Sequence, residues 1–194
     1  MRNLLPVALT CLTLWTSACA ATGGSAGPPD QVATEIVRAL DEGRTDEAHD
    51  LFDDASGSEA MRQQLYPLLY EAAQDRYVRG DATGSTELLR FLSKEYPSAQ
   101  AVQRALLSSL FLLRGEQDSP TPELTARLEK SLKAVRAQSR PPVWTDLVET
   151  QLLIDQGRLT EALASFERFA GAWDGQPEAI AIYVDDIERY LASH

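Results

Sequence analysis

Residues 39–55, ALDEGRTDEAHDLFDDA, and residues 153–166, LIDQGRLTEALASF, follow one pattern. Two apolar residues and an acid precede a glycine and an arginine; an alanine stands five positions after the glycine, and a phenylalanine four after that. The apolar positions keep a spacing of three and four, which gathers them on one face of a helix. Glycine suits the break because the residue after a helix often takes a left-handed backbone, where a side-chain carbon would be crowded. Each stretch therefore predicts the end of one helix, a tight glycine turn and the start of a second helix.

Outward from these two stretches the punctuation recurs. Gly43, Gly80, Gly115 and Gly157 stand 37, 35 and 42 residues apart, each between two apolar-periodic segments. A period of this length is the mark of stacked helical hairpins. The copy at Gly80 continues with Ser85 and Leu89 and ends at Pro97. The copy at Gly115 is irregular: a loop over 116–123 with two prolines precedes Leu124, Leu128, Leu132 and Val135. Small residues at Ala48, Ser85 and Ala162 allow close helix approach, with Phe52, Leu89 and Phe166 filling the space beside them. Pro67 and Pro122 read as first-turn residues, which argues against one helix running from Met61 through Arg79. A last amphipathic segment over 176–191 reads as a cap, and no stretch alternates as a strand. The expected fold is all-α, with about nine helices in one array.

These glycines, the small residue five positions on and the large apolar residue four beyond resemble the tetratricopeptide repeat (TPR) family over about residues 30–176. The resemblance implies an α-solenoid of about four helical hairpins plus a C-terminal capping helix. It also implies an inner face, lined by the first helix of each hairpin, on which partners are held. Carried over position by position, that face comprises Tyr70, Gln74 and Tyr77, then Ser109 and Leu112, then Trp144, Gln151 and Asp155. It lacks the lysine and asparagine set with which cytosolic TPR co-chaperones clamp a terminal carboxylate, so that function is not carried over. Phe91-Leu92-Ser93-Lys94-Glu95-Tyr96-Pro97-Ser98-Ala99-Gln100-Ala101 further resembles the hairpin junction of envelope TPR lipoproteins. The competing reading of Trp144 and the tyrosines is packing between hairpins, since large aromatics at helical spacing are often core.

The N-terminal residues have another character. Arg2, an apolar run from Leu4 to Trp15 and small residues at 17–19 have the layout of a secretory signal, and the run is shorter than a membrane span needs. Thr16-Ser17-Ala18-Cys19 resembles the lipobox of bacterial lipoproteins, with Thr16 in place of the usual aliphatic residue; this implies acylation of Cys19. Ala18-Cys19-Ala20 also fits ordinary signal cleavage, which would leave a soluble secreted chain. Residues 20–29, ATGGSAGPPD, read as a flexible tether. The organisation expected is a signal over 1–19, a tether over 20–29 and a TPR-like domain over 30–194.

Composition narrows the partners. The two cysteines, Cys11 and Cys19, both fall in the signal, so the folded part holds no disulfide. Without the leader, 17 basic groups face 29 acidic ones, which disfavours nucleic acid and anionic lipid surfaces as partners of the body. Gly23 to Gly27 match G-x-S-x-G, but in the tether and with no preceding strand. His49 has no cysteine or histidine neighbours to make a metal site and reads as a rim residue. No acid–base pair or phosphate cradle stands out, and neither enzyme activity nor a cofactor is expected. The reading is a non-catalytic scaffold or adaptor of the bacterial envelope, facing the periplasm and anchored through Cys19, with an envelope protein or peptide segment as partner. A soluble secreted chain that mainly self-associates stays open as the alternative.

Overall fold

A computed structural model of the chain describes residues 27–175 and 181–193. Every regular element among them is an α-helix, and there are nine: α1 (Pro29–Asp41), α2 (Thr45–Ala55), α3 (Glu59–Val78), α4 (Ala82–Glu95), α5 (Gln100–Gly115), α6 (Pro122–Arg136), α7 (Thr145–Asp155), α8 (Leu159–Ala172) and α9 (Ala181–Ala192). The leader, Cys19 and most of the tether lie outside the described residues. No described helix is long and apolar enough to cross a membrane.

Local chemistry explains most boundaries. Ser58 accepts a hydrogen bond from Met61 N at 3.2 Å, Asp81 from Gly84 N at 2.8 Å and Thr121 from Leu124 N at 3.2 Å, each satisfying a donor that the first helical turn leaves unpaired. Pro29 and Pro122 occupy first-turn positions, where a missing N–H costs nothing. The ends of α1, α3 and α7 share one geometry. Gly43, Gly80 and Gly157 have φ of 71°, 79° and 72°. In each turn the glycine N–H bonds the carbonyl three residues back, and the next residue's N–H bonds the one five back: Arg44 to Ala39, Asp81 to Arg76, Arg158 to Leu153. This pair of hydrogen bonds satisfies two orphan carbonyls and reverses the chain sharply.

Two expectations are corrected. Pro67 does not start a helix; it lies inside α3, which runs unbroken for 20 residues. Pro67 and Gln63 are both exposed, so the carbonyl that loses its partner faces water and the break is tolerated. Gly115 is likewise not a left-handed turn residue but the last residue of α5. A Cβ there would lie 2.6 Å from Tyr183 Cε1, so the glycine is needed to seat a side chain of α9.

Helices consecutive in sequence pack together, from α1 on α2 to α8 on α9, except that α3 packs mainly on α1 and α4. The predicted small residues Ala48, Ser85 and Ala162 are fully buried between helices, and Phe52, Leu89 and Phe166 are buried beside them. Phe52 meets Phe91 and Tyr96 edge-on at 5.7 Å and carries the Arg62 guanidinium 5.2 Å above its ring; burying one such ring contributes about 1.5 to 3 kcal/mol. The apolar interior falls into two clusters. The first runs from Val32 to Val102 and the second from Leu107 to Ile187, with half-buried Leu106 packed against both.

Candidate functional site

Four of the eight inner-face residues come together. Tyr70, Gln74 and Tyr77 on α3 and Trp144 at the N-cap of α7 line one groove of 310 Å³, closed from the other side by α5. Tyr70, Gln74 and Tyr77 follow each other at four and three residues and so form one stripe of α3, about 100° around the helix from its buried Leu65, Leu69 and Ala73. The α5 wall consists of Ala101, Arg104, Ala105 and Ser108, again a single stripe.

The polar groups of the groove are held in place. Tyr77 Oη and Ser108 Oγ share a hydrogen bond at 3.1 Å. Tyr70 stacks on Tyr66 at 5.9 Å, and burial, with Tyr66 adding, pushes its hydroxyl above the ordinary tyrosine range. Arg104 donates through Nε to Gln138 Oε1 at 2.7 Å and through Nη2 to the Arg140 carbonyl at 3.1 Å. Both acceptors are neutral, so the guanidinium brings a net positive charge to an otherwise uncharged, aromatic groove. Trp144 is half-buried and also rests against the second core cluster, so it is at once a groove wall and a packing residue. Burial, with Tyr77 and Glu116 adding, raises the Tyr183 hydroxyl above the ordinary tyrosine range.

The remaining four predicted residues lie elsewhere. Ser109 is fully buried, and its Oγ lies 2.7 Å from Ser85 Oγ between α5 and α4; it presents nothing to a partner. Leu112 is half-buried on α5 and outside the groove lining. On α7, Asp155 is engaged internally: Arg114 Nε reaches Oδ2 at 2.7 Å and Nη2 reaches Oδ1 at 2.5 Å, with the two side chains 12% and 5% exposed. Gln151 donates to Asp155 Oδ1 at 2.9 Å and completes that cluster. The α5 wall is absent from the sequence reading, although its three-and-four spacing of small residues around Arg104 could have marked it.

His49 is more enclosed than a rim residue. Its ring stacks on Phe91 at 4.9 Å, and Nδ1 lies 2.7 Å from Glu95 Oε1 without hydrogen-bond alignment. Among the described residues no three histidine, cysteine or acidic side chains are grouped to hold a metal ion. The groove contains aromatic faces, an amide, hydroxyls and one cation, groups capable of stacking, cation–π contact and hydrogen bonding. It contains no carboxylate or imidazole that could move a proton. Comparison with family models, with curated proteins and with solved structures finds no match to this chain.

Proposed function

We propose that this chain is a TPR-like adaptor of the bacterial envelope, which catalyses nothing and holds an extended segment or helix of a partner protein in the groove between α3, α5 and Trp144. The observation that carries this reading is the convergence of Tyr70, Gln74, Tyr77, Trp144 and Arg104 on one groove. Exposed aromatics and arginine are the residue types that dominate binding energy at protein interfaces. The repeat reading is supported by the three glycine turns of common geometry and by the helix pairs α1/α2, α3/α4 and α7/α8 that they or their successors join. The α-solenoid with α9 as its cap is the arrangement of these pairs that fits the TPR resemblance.

The test is photocrosslinking in cells from position 77, followed by binding assays on the captured partner. Tyr77→Ala and Trp144→Ala should each weaken binding by at least about 1 to 2 kcal/mol. Each should also lower stability less than Phe166→Ala, a core truncation expected to cost about 3 to 5 kcal/mol. A Trp144→Ala chain as unstable as Phe166→Ala, or a partner held equally well by both groove variants, would remove the assignment. The anchor is a separate part of the proposal: Cys19→Ala should shift the protein from the membrane fraction to the soluble one, and unchanged membrane retention would refute lipidation.

A further inference from the structure

The aromatic groove is not the only cleft among the described residues. A second cleft of 690 Å³ opens between α2, α4 and α6, with α5 as its floor. It uses Gln103, Leu106 and Leu110 of α5, whereas the groove uses Ala101, Arg104 and Ser108. Residues two apart on a helix point about 200° apart, so the two sites lie on opposite faces of α5.

The floor and the rim of this cleft differ in chemistry. The buried lining includes Phe91, Leu110 and Leu40, with Leu106 half-buried between α4 and α6. The more exposed lining carries Arg90, Lys94, Arg127 and Lys130 against a single acid, Glu87. Arg90 pairs with Glu87 at 2.5 Å, and Arg127 lies 3.6 Å from Glu87 and 2.7 Å from Glu123, so these arginines are largely neutralised. Lys94 and Lys130 make no ion pair, and they are two of only three lysines in a chain of net charge -11. Such a concentration of uncompensated positive charge is the reverse of what solubility asks of an acidic protein. Thr86 forms part of the buried lining of the same cleft, 2% exposed, with its Oγ1 closed off from solvent.

We infer that this cleft binds a single-chain anionic amphiphile, its apolar chain on Phe91, Leu106 and Leu110 and its carboxylate or phosphate head between Lys94 and Lys130. The volume is that of an ordinary small-ligand site, and one apolar body with a few convergent polar groups is the usual composition of such sites. Two ammonium groups contributed by different helices, Lys94 of α4 and Lys130 of α6, flank the anionic head. The ligand's charge is the complement of the rim, and its chain replaces water over the α5 floor. This site is independent of the aromatic groove and stands or falls separately from it.

Isothermal titration of the purified protein with dodecanoate, dodecyl phosphate, dodecanol and acetate tests the inference. Dodecanoate or dodecyl phosphate should bind with one-to-one stoichiometry, and whichever binds more tightly identifies the head. Dodecanol should bind at least about tenfold more weakly for want of the charge-assisted contacts, and acetate should show no saturable binding. Shortening the acyl chain should weaken binding by up to about fourfold per methylene removed. Lys94→Gln with Lys130→Gln should weaken the anionic ligands at least about tenfold and leave dodecanol unchanged. Both lysines are exposed, so the fold is not at risk. Ala134→Phe, an exposed wall position, should block every ligand by filling the cleft, with the circular dichroism spectrum unaltered. The inference is overturned if neither anionic amphiphile binds saturably, if dodecanol binds as tightly as dodecanoate, or if the double lysine variant binds both anions like the parent. A synthetic acidic amphipathic helix that binds more tightly than either amphiphile and is lost in Ala134→Phe would also overturn it, in favour of protein docking.

Discussion

The Arg114–Asp155 pair separates a structural from a binding role for Asp155, and the separation can be measured. The pair is bidentate, joins the C-terminal ends of α5 and α7, and is nearly dry, with the side chains 12% and 5% exposed. In Asp155→Leu the guanidinium keeps only the Gln117 carbonyl, at 2.7 Å, and Gln151 loses its acceptor. A buried charge left without its counter-ion typically costs about 3 to 5 kcal/mol. For a chain of this length that corresponds to a fall in melting temperature of about 6 to 20 °C. Replacing both partners by apolar residues removes the stranded charge along with the pair, so Arg114→Met combined with Asp155→Leu should come within about 1 kcal/mol of the parent. Urea titrations of parent, both single variants and the double variant close the cycle. If Asp155→Leu melted like the parent, or if the double variant were as unstable as the single, the internal role of Asp155 would be refuted and its place on a binding face restored.

Gly115→Ala places a methyl group 2.6 Å from a Tyr183 ring that already packs on Phe111 at 5.2 Å, so Tyr183 should leave its seat and expose the C-terminal segment to faster proteolysis; Tyr183→Ala in the same chain should abolish the effect. The Glu149 carboxyl is held below its ordinary range, first by the hydrogen bond from Arg136 at 2.6 Å, then by Ser165 and the charges of Arg136 and Arg168, against the opposing effect of burial. A carboxyl whose folded-state pKa is lowered stabilises the fold fully at neutral pH and loses that contribution as pH falls through the folded-state value. The melting-temperature gap between parent and Glu149→Gln should therefore narrow as pH drops from about 7 to about 3. A gap that widened on acidification would refute the assignment.

The helical class and three of the four glycine turns could be read from the sequence, because both rest on local chemistry: a periodic apolar face, and a backbone angle that favours glycine. What could not be read depends on what each helix meets. Pro67 is excluded from a helix interior only when the lost bond is buried, and exposure is a tertiary property. Gly115 looks like the other three glycines, but the reason for it is a ring arriving from α9, 68 positions further along the chain. The inner face was half legible: the residues carried over onto α3 line the groove, whereas on α5 the resemblance points to Ser109, which is buried against Ser85, and not to Arg104 and Ser108, which face the groove. The basic cleft has no sequence signature, since Lys94 and Lys130 are brought together only because α4 and α6 flank α5. The scarcity of lysine was its one visible trace.

The division of the apolar interior at Leu106 has a mechanical meaning. Residues that share a core tend to open together, so the two clusters would act as two blocks with α5 running through both. Tyr70 belongs to the first block and Trp144 to the second, and the groove between them is a gap whose width depends on how the blocks sit against each other. A segment bound there would work as a splint, tying together two groups of helices joined mainly through α5. Its grip would add to the rigidity of the whole chain as well as to its own affinity, so that occupancy at one face of α5 is felt along the entire length of the protein.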